Sequence, residues 1–304
     1  MNIAYVFPGQ GAQQVGMGKD IAALPVARHV FDEADAVLGF SLSRVMFDGP
    51  KEALDDTLNT QPALFTGGVA LLELMPQLTP AFVAGHSLGE YTALYAAGAL
   101  TFSDGLRLVR ERGRLMKQAG EQEPGSMAAL IGLDDQMVKA ICDSIGDVQV
   151  ANYNSPGQVV ISGKREAVAA AMQAAKEHKA KLVTPLDVSI ASHSALMKPM
   201  VDAFARVVHD TPLRAPQIPV VGNLNAQPLE NIETVRDELI RQPVSSVRWT
   251  QSVEYMAAAG VDTFVEIGPG RVLSGLIKRI VKGARLFNVS DAASLQPALS
   301  QEQA

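Results

Sequence analysis

Gly85-His86-Ser87-Leu88-Gly89 sets a serine between two glycines in the spacing of a nucleophile elbow. In such an elbow a strand ends, the chain turns sharply and a helix begins. The serine hydroxyl then projects at the strand's carboxyl end, close to helix amides that stabilise negative charge. The flanking sequence has this grammar: residues 81–84 are apolar, and residues 88–97 read as a helix. The pattern alone also fits an ordinary tight turn.

A serine needs a base to become nucleophilic, and the chain has five histidines. His29 lies in a helical stretch, His178 among charged residues, and His209 at a helix end. His86 belongs to the elbow itself and must point away from Ser87. His193, in Ala191-Ser192-His193-Ser194, stands where one structural pattern gives way to another, and clefts form at such junctions. It is the favoured base. Asp134, Asp135 and Asp187 lie between serine and histidine, but none has a distinctive setting for a third member. A backbone carbonyl that fixes the imidazole tautomer is the alternative.

Arg112 is the other chemical signal. At 100° per residue, Leu106, Val109, Gly113 and Met116 share one side of a helix, flanked by Leu108 and Leu115. Arg112 falls inside that apolar sector. A buried guanidinium needs a partner. An internal ion pair or a snorkelling side chain would supply one; so would a carboxylate arriving with a ligand, for which the planar fork is suited. An oxyanion formed at Ser87 needs two backbone donors. Leu88 offers one, and the turn Pro8-Gly9-Gln10-Gly11 is the natural source of the second. Gly268-Pro269-Gly270, before the last helix, has the form of a phosphate-receiving turn, but reads first as a structural one.

These residues must be positioned by strand–turn–helix units, which predict a parallel α/β sheet. Residues 2–7 form a first strand, and Asn59-Thr60-Gln61-Pro62 reads as a helix start. Near Pro124 the grammar changes to β-α-β-β-α-β, the ferredoxin-like unit. After it the α/β pattern resumes. The predicted organisation is a discontinuous catalytic part, residues 1–124 and 191–304, with an inserted α+β unit at 125–190. The tail after about Leu299 is expected to fray.

The chain as a whole excludes several classes. Its 304 residues suffice for one large core plus an insert, or for two ordinary domains. A formal charge of −6 argues against nucleic acid as the main partner. The single Cys142 excludes an internal disulfide and a cysteine-based zinc cluster. No run approaches the roughly 18 apolar residues of a membrane helix. A cytoplasmic setting is expected.

Several blocks, in order, carry a likeness: Val6-Phe7-Pro8-Gly9-Gln10-Gly11, Gln61-Pro62-Ala63-Leu64, Gly85-His86-Ser87-Leu88-Gly89-Glu90-Tyr91, Arg112-Gly113, Asn154-Ser155-Pro156-Gly157, Ser192-His193, Arg248-Trp249 and Glu266-Ile267-Gly268-Pro269-Gly270. Along nearly its whole length the chain resembles malonyl-CoA–acyl carrier protein transacylases of fatty acid and polyketide synthesis. The resemblance implies a large α/β-hydrolase-like subdomain with a parallel sheet and a ferredoxin-like insert. It implies Ser87 as nucleophile, His193 as general acid/base, and Arg112 as receptor of the malonyl carboxylate. It implies oxyanion donors at Gln10 and Leu88, and a main-chain carbonyl of Gln242, after Arg241, that steadies the histidine. Related polyketide acyltransferases selecting malonyl often carry Phe before the histidine; this chain has Ser192, as free-standing fatty-acid enzymes do. Malonyl remains the expected acyl group, with room for methylmalonyl. The implied partners are a coenzyme A thioester and an acyl carrier protein, with no metal or other cofactor; a monomer is expected. Lys278, Arg279, Lys282 and Arg285, or Lys176, Lys179 and Lys181, are basic clusters that an acidic carrier would meet. A serine thioesterase or acyl hydrolase, and a silent carrier-docking subunit, are the rival readings.

Overall fold

The computed structural model describes residues 2–75, 79–188 and 190–295. The tail beyond Leu299 lies outside the described residues. Among those described, the strands in chain order are β1 (Ile3–Phe7), β2 (Phe82–Gly85), β3 (Gly125–Ile131), β4 (Val148–Ser155), β5 (Gln158–Lys164), β6 (Leu182–Pro185), β7 (Val220–Val221), β8 (Pro228–Leu229), β9 (Thr263–Ile267) and β10 (Arg285–Val289).

The larger sheet has the order β10-β9-β1-β2-β7-β8. Its pairs are parallel except β7 with β8. Ala4 to Phe7 of β1 are all buried, as befits a central parallel strand covered on both faces. The register Phe7↔Gly85 brings the carboxyl ends of β1 and β2 level. In open parallel sheets that edge is where ligands bind.

The smaller sheet, β4-β5-β3-β6, is antiparallel throughout. Its strands alternate with period two. Ala128, Leu130, Val150, Val159 and Ile161 pack against Val138, Ile141, Val168 and Ala171 of the helices Asp135–Ile145 and Arg165–Glu177. Met127, Ala151 and Val160 form a separate cluster on the other side. The smaller sheet is tied by backbone to Val247, a residue outside both sheets. Tyr153 N–H donates to the Val247 carbonyl (2.9 Å), and Val247 N–H to the Ala151 carbonyl (2.8 Å).

Some elements differ from the sequence reading. The fourth helix begins at Thr57, not near Pro62, because Asp56 caps it by accepting from Leu58 N–H. Pro62 then lies inside the helix, where it cannot donate to the Leu58 carbonyl. Arg110 Nη1 donates to that oxygen instead, at 2.6 Å. The sequence does not announce β8 and β10; β10 carries Arg285, which the sequence groups with Lys278, Arg279 and Lys282 as a basic cluster. Arg285 pairs with Asp262 at 2.9 Å.

The Glu266 block also acquires a purpose. Its buried carboxylate accepts from Leu273 N–H (2.9 Å), Ser274 N–H (2.7 Å) and Asn288 Nδ2 (3.0 Å). It thereby satisfies the open start of the helix Val272–Ile280. Glu266→Ala would leave buried donors unpaired and is expected to lower stability by about 1–3 kcal/mol. A lower urea midpoint at unchanged m-value checks this.

Candidate active site

Ser87 sits two residues beyond β2 with φ 51, in the left-handed region. A non-glycine residue held there costs about 1–3 kcal/mol, so its surroundings must fix it. Asn223 does so, two residues past β7. Its Oδ1 accepts from Ser87 N–H (2.7 Å), and its Nδ2 donates to the Gly85 carbonyl (2.8 Å). The elbow glycine Gly89 is required by close approach: a Cβ there would lie 2.0 Å from the Phe7 carbonyl oxygen. His86 points away, as expected, and its Nε2 donates to Asn154 Oδ1 at 2.8 Å. Loss of solvent lowers its pKa, so it is a neutral tie to the smaller sheet.

His193 is buried and also has positive φ, 58. Its Nε2 lies 2.8 Å from Ser87 Oγ. Its Nδ1 lies 3.0 Å from the Gln242 carbonyl and 3.1 Å from the Ser245 carbonyl. Carbonyls only accept, so Nδ1 carries the proton and Nε2 presents its lone pair to the serine hydroxyl. The third member is therefore a pair of backbone oxygens. Asp134 instead caps the helix Asp135–Ile145, Asp135 heads it, and Asp187 lines the cleft. Among the described residues no carboxylate is hydrogen-bonded to His193.

Burial and the nearby Arg112 charge push the His193 pKa down to about 3, against the pull of the two carbonyls. A depressed pKa keeps the imidazole neutral in mild acid. The rate constant for Ser87 acylation is expected to stay flat between about pH 7 and about pH 5, where an ordinary imidazole would lose most of its activity. Single-turnover kinetics across that range check this. The same shift makes the unfolded chain bind the extra proton, so this group's contribution to stability falls as pH drops below the ordinary histidine value.

Arg112 lies on the helix Phe102–Gln122, on the buried side with Leu108, Val109, Leu115 and Met116. It is 1% exposed. Gly113 lets this helix close on its neighbour; a Cβ would meet the Thr57 carbonyl at 2.7 Å. Among the described residues no carboxylate lies within ion-pair distance of Arg112. Its Nη1 donates to Gln61 Oε1 (2.9 Å), and its Nη2 to Gln242 Oε1 (2.8 Å) and Ser87 Oγ (3.2 Å). The guanidinium carbon lies 5.5 Å from the Tyr91 ring centre. So the cation is held by neutral amides and touches the Ser87 hydroxyl directly.

Ser87, His193 and Arg112 open on one cleft of about 660 Å³, also lined by Gln10, Met127, Asn152 and Ser192. Gln10 is anchored through Nε2 to Thr57 Oγ1 at 3.1 Å. Neither Gln10 N–H nor Leu88 N–H donates a hydrogen bond within the described residues. Leu88 keeps its side chain in the core while its amide heads the helix Gly89–Ala96. Ser192 is half-buried beside His193 in the chain. Gln149 grips the histidine's backbone, donating to the His193 carbonyl (3.1 Å) and accepting from Ala195 N–H (3.0 Å).

Sequence reasoning missed Asn223, the Gln61 contact and the Gln242 side chain. Asn223 follows Gly222 at the end of a two-residue strand, too short to announce itself. Gln61 is a polar residue inside an otherwise buried helical run, the same signal that marked Arg112.

The model of the family described as acyl transferase domain matches residues 4–303. A malonyl CoA-acyl carrier protein transacylase of Escherichia coli (strain K12) is 46% identical over 303 residues, 97% of this chain and 98% of the relative. One of Bacillus subtilis (strain 168) is 43% identical over 304 residues, 98% of this chain and 96% of the relative. Among solved structures, a malonyl-transacylase in complex with its type II PKS acyl-carrier protein superposes with a TM-score of 0.96 at 44% identity, covering 99% of this chain and 100% of that one.

Proposed function

We infer that this chain, which belongs to the acyl transferase domain family, moves a malonyl group from malonyl-coenzyme A to the phosphopantetheine thiol of an acyl carrier protein. The observation that carries the reading is a buried Arg112 without a carboxylate partner, 3.2 Å from the Ser87 hydroxyl. Such a cation selects an acyl group that brings its own carboxylate.

The reaction is ping-pong. His193 Nε2 takes the Ser87 proton as Oγ attacks the thioester carbonyl. Gln10 and Leu88 amides receive the oxyanion. The C–S bond breaks, and the coenzyme A thiolate takes the proton from His193, leaving a malonyl ester on Ser87. The carrier thiol then gives its proton to His193 and attacks that ester. The Ser87 oxygen leaves and recovers the proton. Arg112 holds the distal carboxylate in both halves and keeps the acyl carbon in attack geometry. Atoms and protons balance without a metal or redox group. No helix among the described residues is long and apolar enough to cross a membrane, and a cytoplasmic setting suits both substrates.

Incubation with malonyl-coenzyme A, with and without carrier protein, tests the reading. Without carrier, coenzyme A release should stop at about one equivalent per Ser87; with carrier, malonyl-carrier and further coenzyme A should form in equal amounts. Rapid carrier-independent release of malonate would instead identify an acyl hydrolase.

A further inference from the structure

Two buried carboxylates lie behind the serine–histidine pair without touching it. Glu90, in the helix Gly89–Ala96, is 0% exposed, and Glu238, in the helix Ile232–Arg241, is 4% exposed. Neither forms an ion pair among the described residues. Their oxygens converge on one amide. Asn223 N–H donates to both Glu90 Oε2 (2.9 Å) and Glu238 Oε1 (2.7 Å). Leu224 N–H also donates to Glu238 Oε1 (2.9 Å), and Gln242 Nε2 to Glu90 Oε1 (3.0 Å). Two full negative charges in contact and out of water would repel strongly, and one proton between them removes the repulsion.

We propose that Glu90 and Glu238 share one proton and act together as positioning residues, locking Asn223 and Gln242 so that Ser87, His193 and Arg112 meet. The connectivity is direct. Asn223 holds the strained elbow through the Ser87 amide and the Gly85 carbonyl. Gln242 holds Arg112 through Oε1, the Ser87 carbonyl through Nε2, and the His193 ring through its own carbonyl. Both amides lean on the Glu90 carboxyl group.

Other charges face the pair. Arg112 attracts it from the helix Phe102–Gln122, Tyr91 is a neutral neighbour on the Glu90 helix, and Asp237 is an exposed acid beside Glu238. Burial, with mutual repulsion, raises Glu90 well above the ordinary carboxylate value, and burial raises Glu238 to about 7. A raised pKa means the native state binds the extra proton. The stability it contributes is complete below the ordinary carboxylate value and is lost as pH rises through the folded one. This sign is opposite to that of His193.

The inference rests on Ser87 and His193 being nucleophile and base, and not on which acyl group they carry. It is therefore tested without malonate. At neutral pH ordinary carboxylates are ionised, so an infrared carbonyl band of a protonated carboxyl in the wild type reports the shared proton. The band should vanish in Glu90→Gln. Labelling of Ser87 by a fluorophosphonate probe reports the geometry. Glu90→Ala should slow labelling about 10²-fold, the size expected for a small misplacement of reacting groups. Glu238→Gln replaces the shared proton with a permanent N–H donor and should move the alkaline fall in labelling rate to higher pH. If Glu90→Ala does not fold, the wild-type band and the Glu238→Gln profile still decide. The proposal is overturned if no protonated-carboxyl band exists, if it survives in Glu90→Gln, or if the alkaline limbs of wild type and Glu238→Gln coincide.

Discussion

Arg112→Ala is expected to reduce malonyl loading of Ser87 by about 10²–10³-fold while acetyl loading holds or rises. The magnitude follows from removing one partner of a desolvated, hydrogen-bonded charge pair, about 3–4 kcal/mol. The direction for acetyl follows because that group brings no carboxylate to satisfy the fork. Arg112→Lys should recover only part of the malonyl rate, because an ammonium keeps the charge and loses the bidentate geometry. A second effect separates this role from a packing role. The Arg112 charge is one of the causes that hold the His193 pKa down. Its removal should raise that pKa and bring an acid limb into the acetyl-loading profile. Loading rates for both acyl groups, followed by intact mass across pH, measure all of this. Equal losses for malonyl and acetyl would mean that Arg112 only supports the fold through Gln61 and Gln242.

Ser87→Ala is expected to abolish the covalent malonyl adduct and lower transfer by a factor on the order of 10⁶, as when a nucleophile is removed from a comparable catalytic unit. The fold should survive. Arg112 keeps its bonds to Gln61 and Gln242, His193 keeps its two carbonyls, and Asn223 still receives the backbone amide at position 87. Intact mass after exposure to malonyl-coenzyme A, with a circular dichroism spectrum of the variant, checks both statements. Persistence of the adduct in the variant would place the ester on another side chain.

Ser87 and His193 were legible because each left a local trace, one in a five-residue pattern and one by elimination among five histidines. Arg112 was legible from periodicity, since a charge on the apolar side of a helix violates the pattern that built the helix. The alternation of strand and helix, and its change near Pro124, made the two sheets readable. What escaped depends on distance in the chain. Asn223 acts 136 residues from Ser87, and the Gln242 side chain acts 130 residues from Arg112. No local rule links such pairs. The likeness to a family supplied the Gln242 carbonyl but said nothing of Ser245, which shares the task. Pro62 points to a helix start at Asn59, but Asp56, three residues earlier, already provides the cap, and Arg110 makes the interior proline tolerable.

The backbone stitching of β4 to Val247, with the Gln149 grip on His193 and the Asn154 tie to His86, makes the smaller sheet a jig for the base as well as a wall of the cleft. Grafting a relative's insert onto this framework would change how far the imidazole reaches as well as which acyl chains fit. Chimaeras built to alter selectivity should therefore drift in turnover too. Matching residues at 149, 152 and 154 to the host is the first remedy to try.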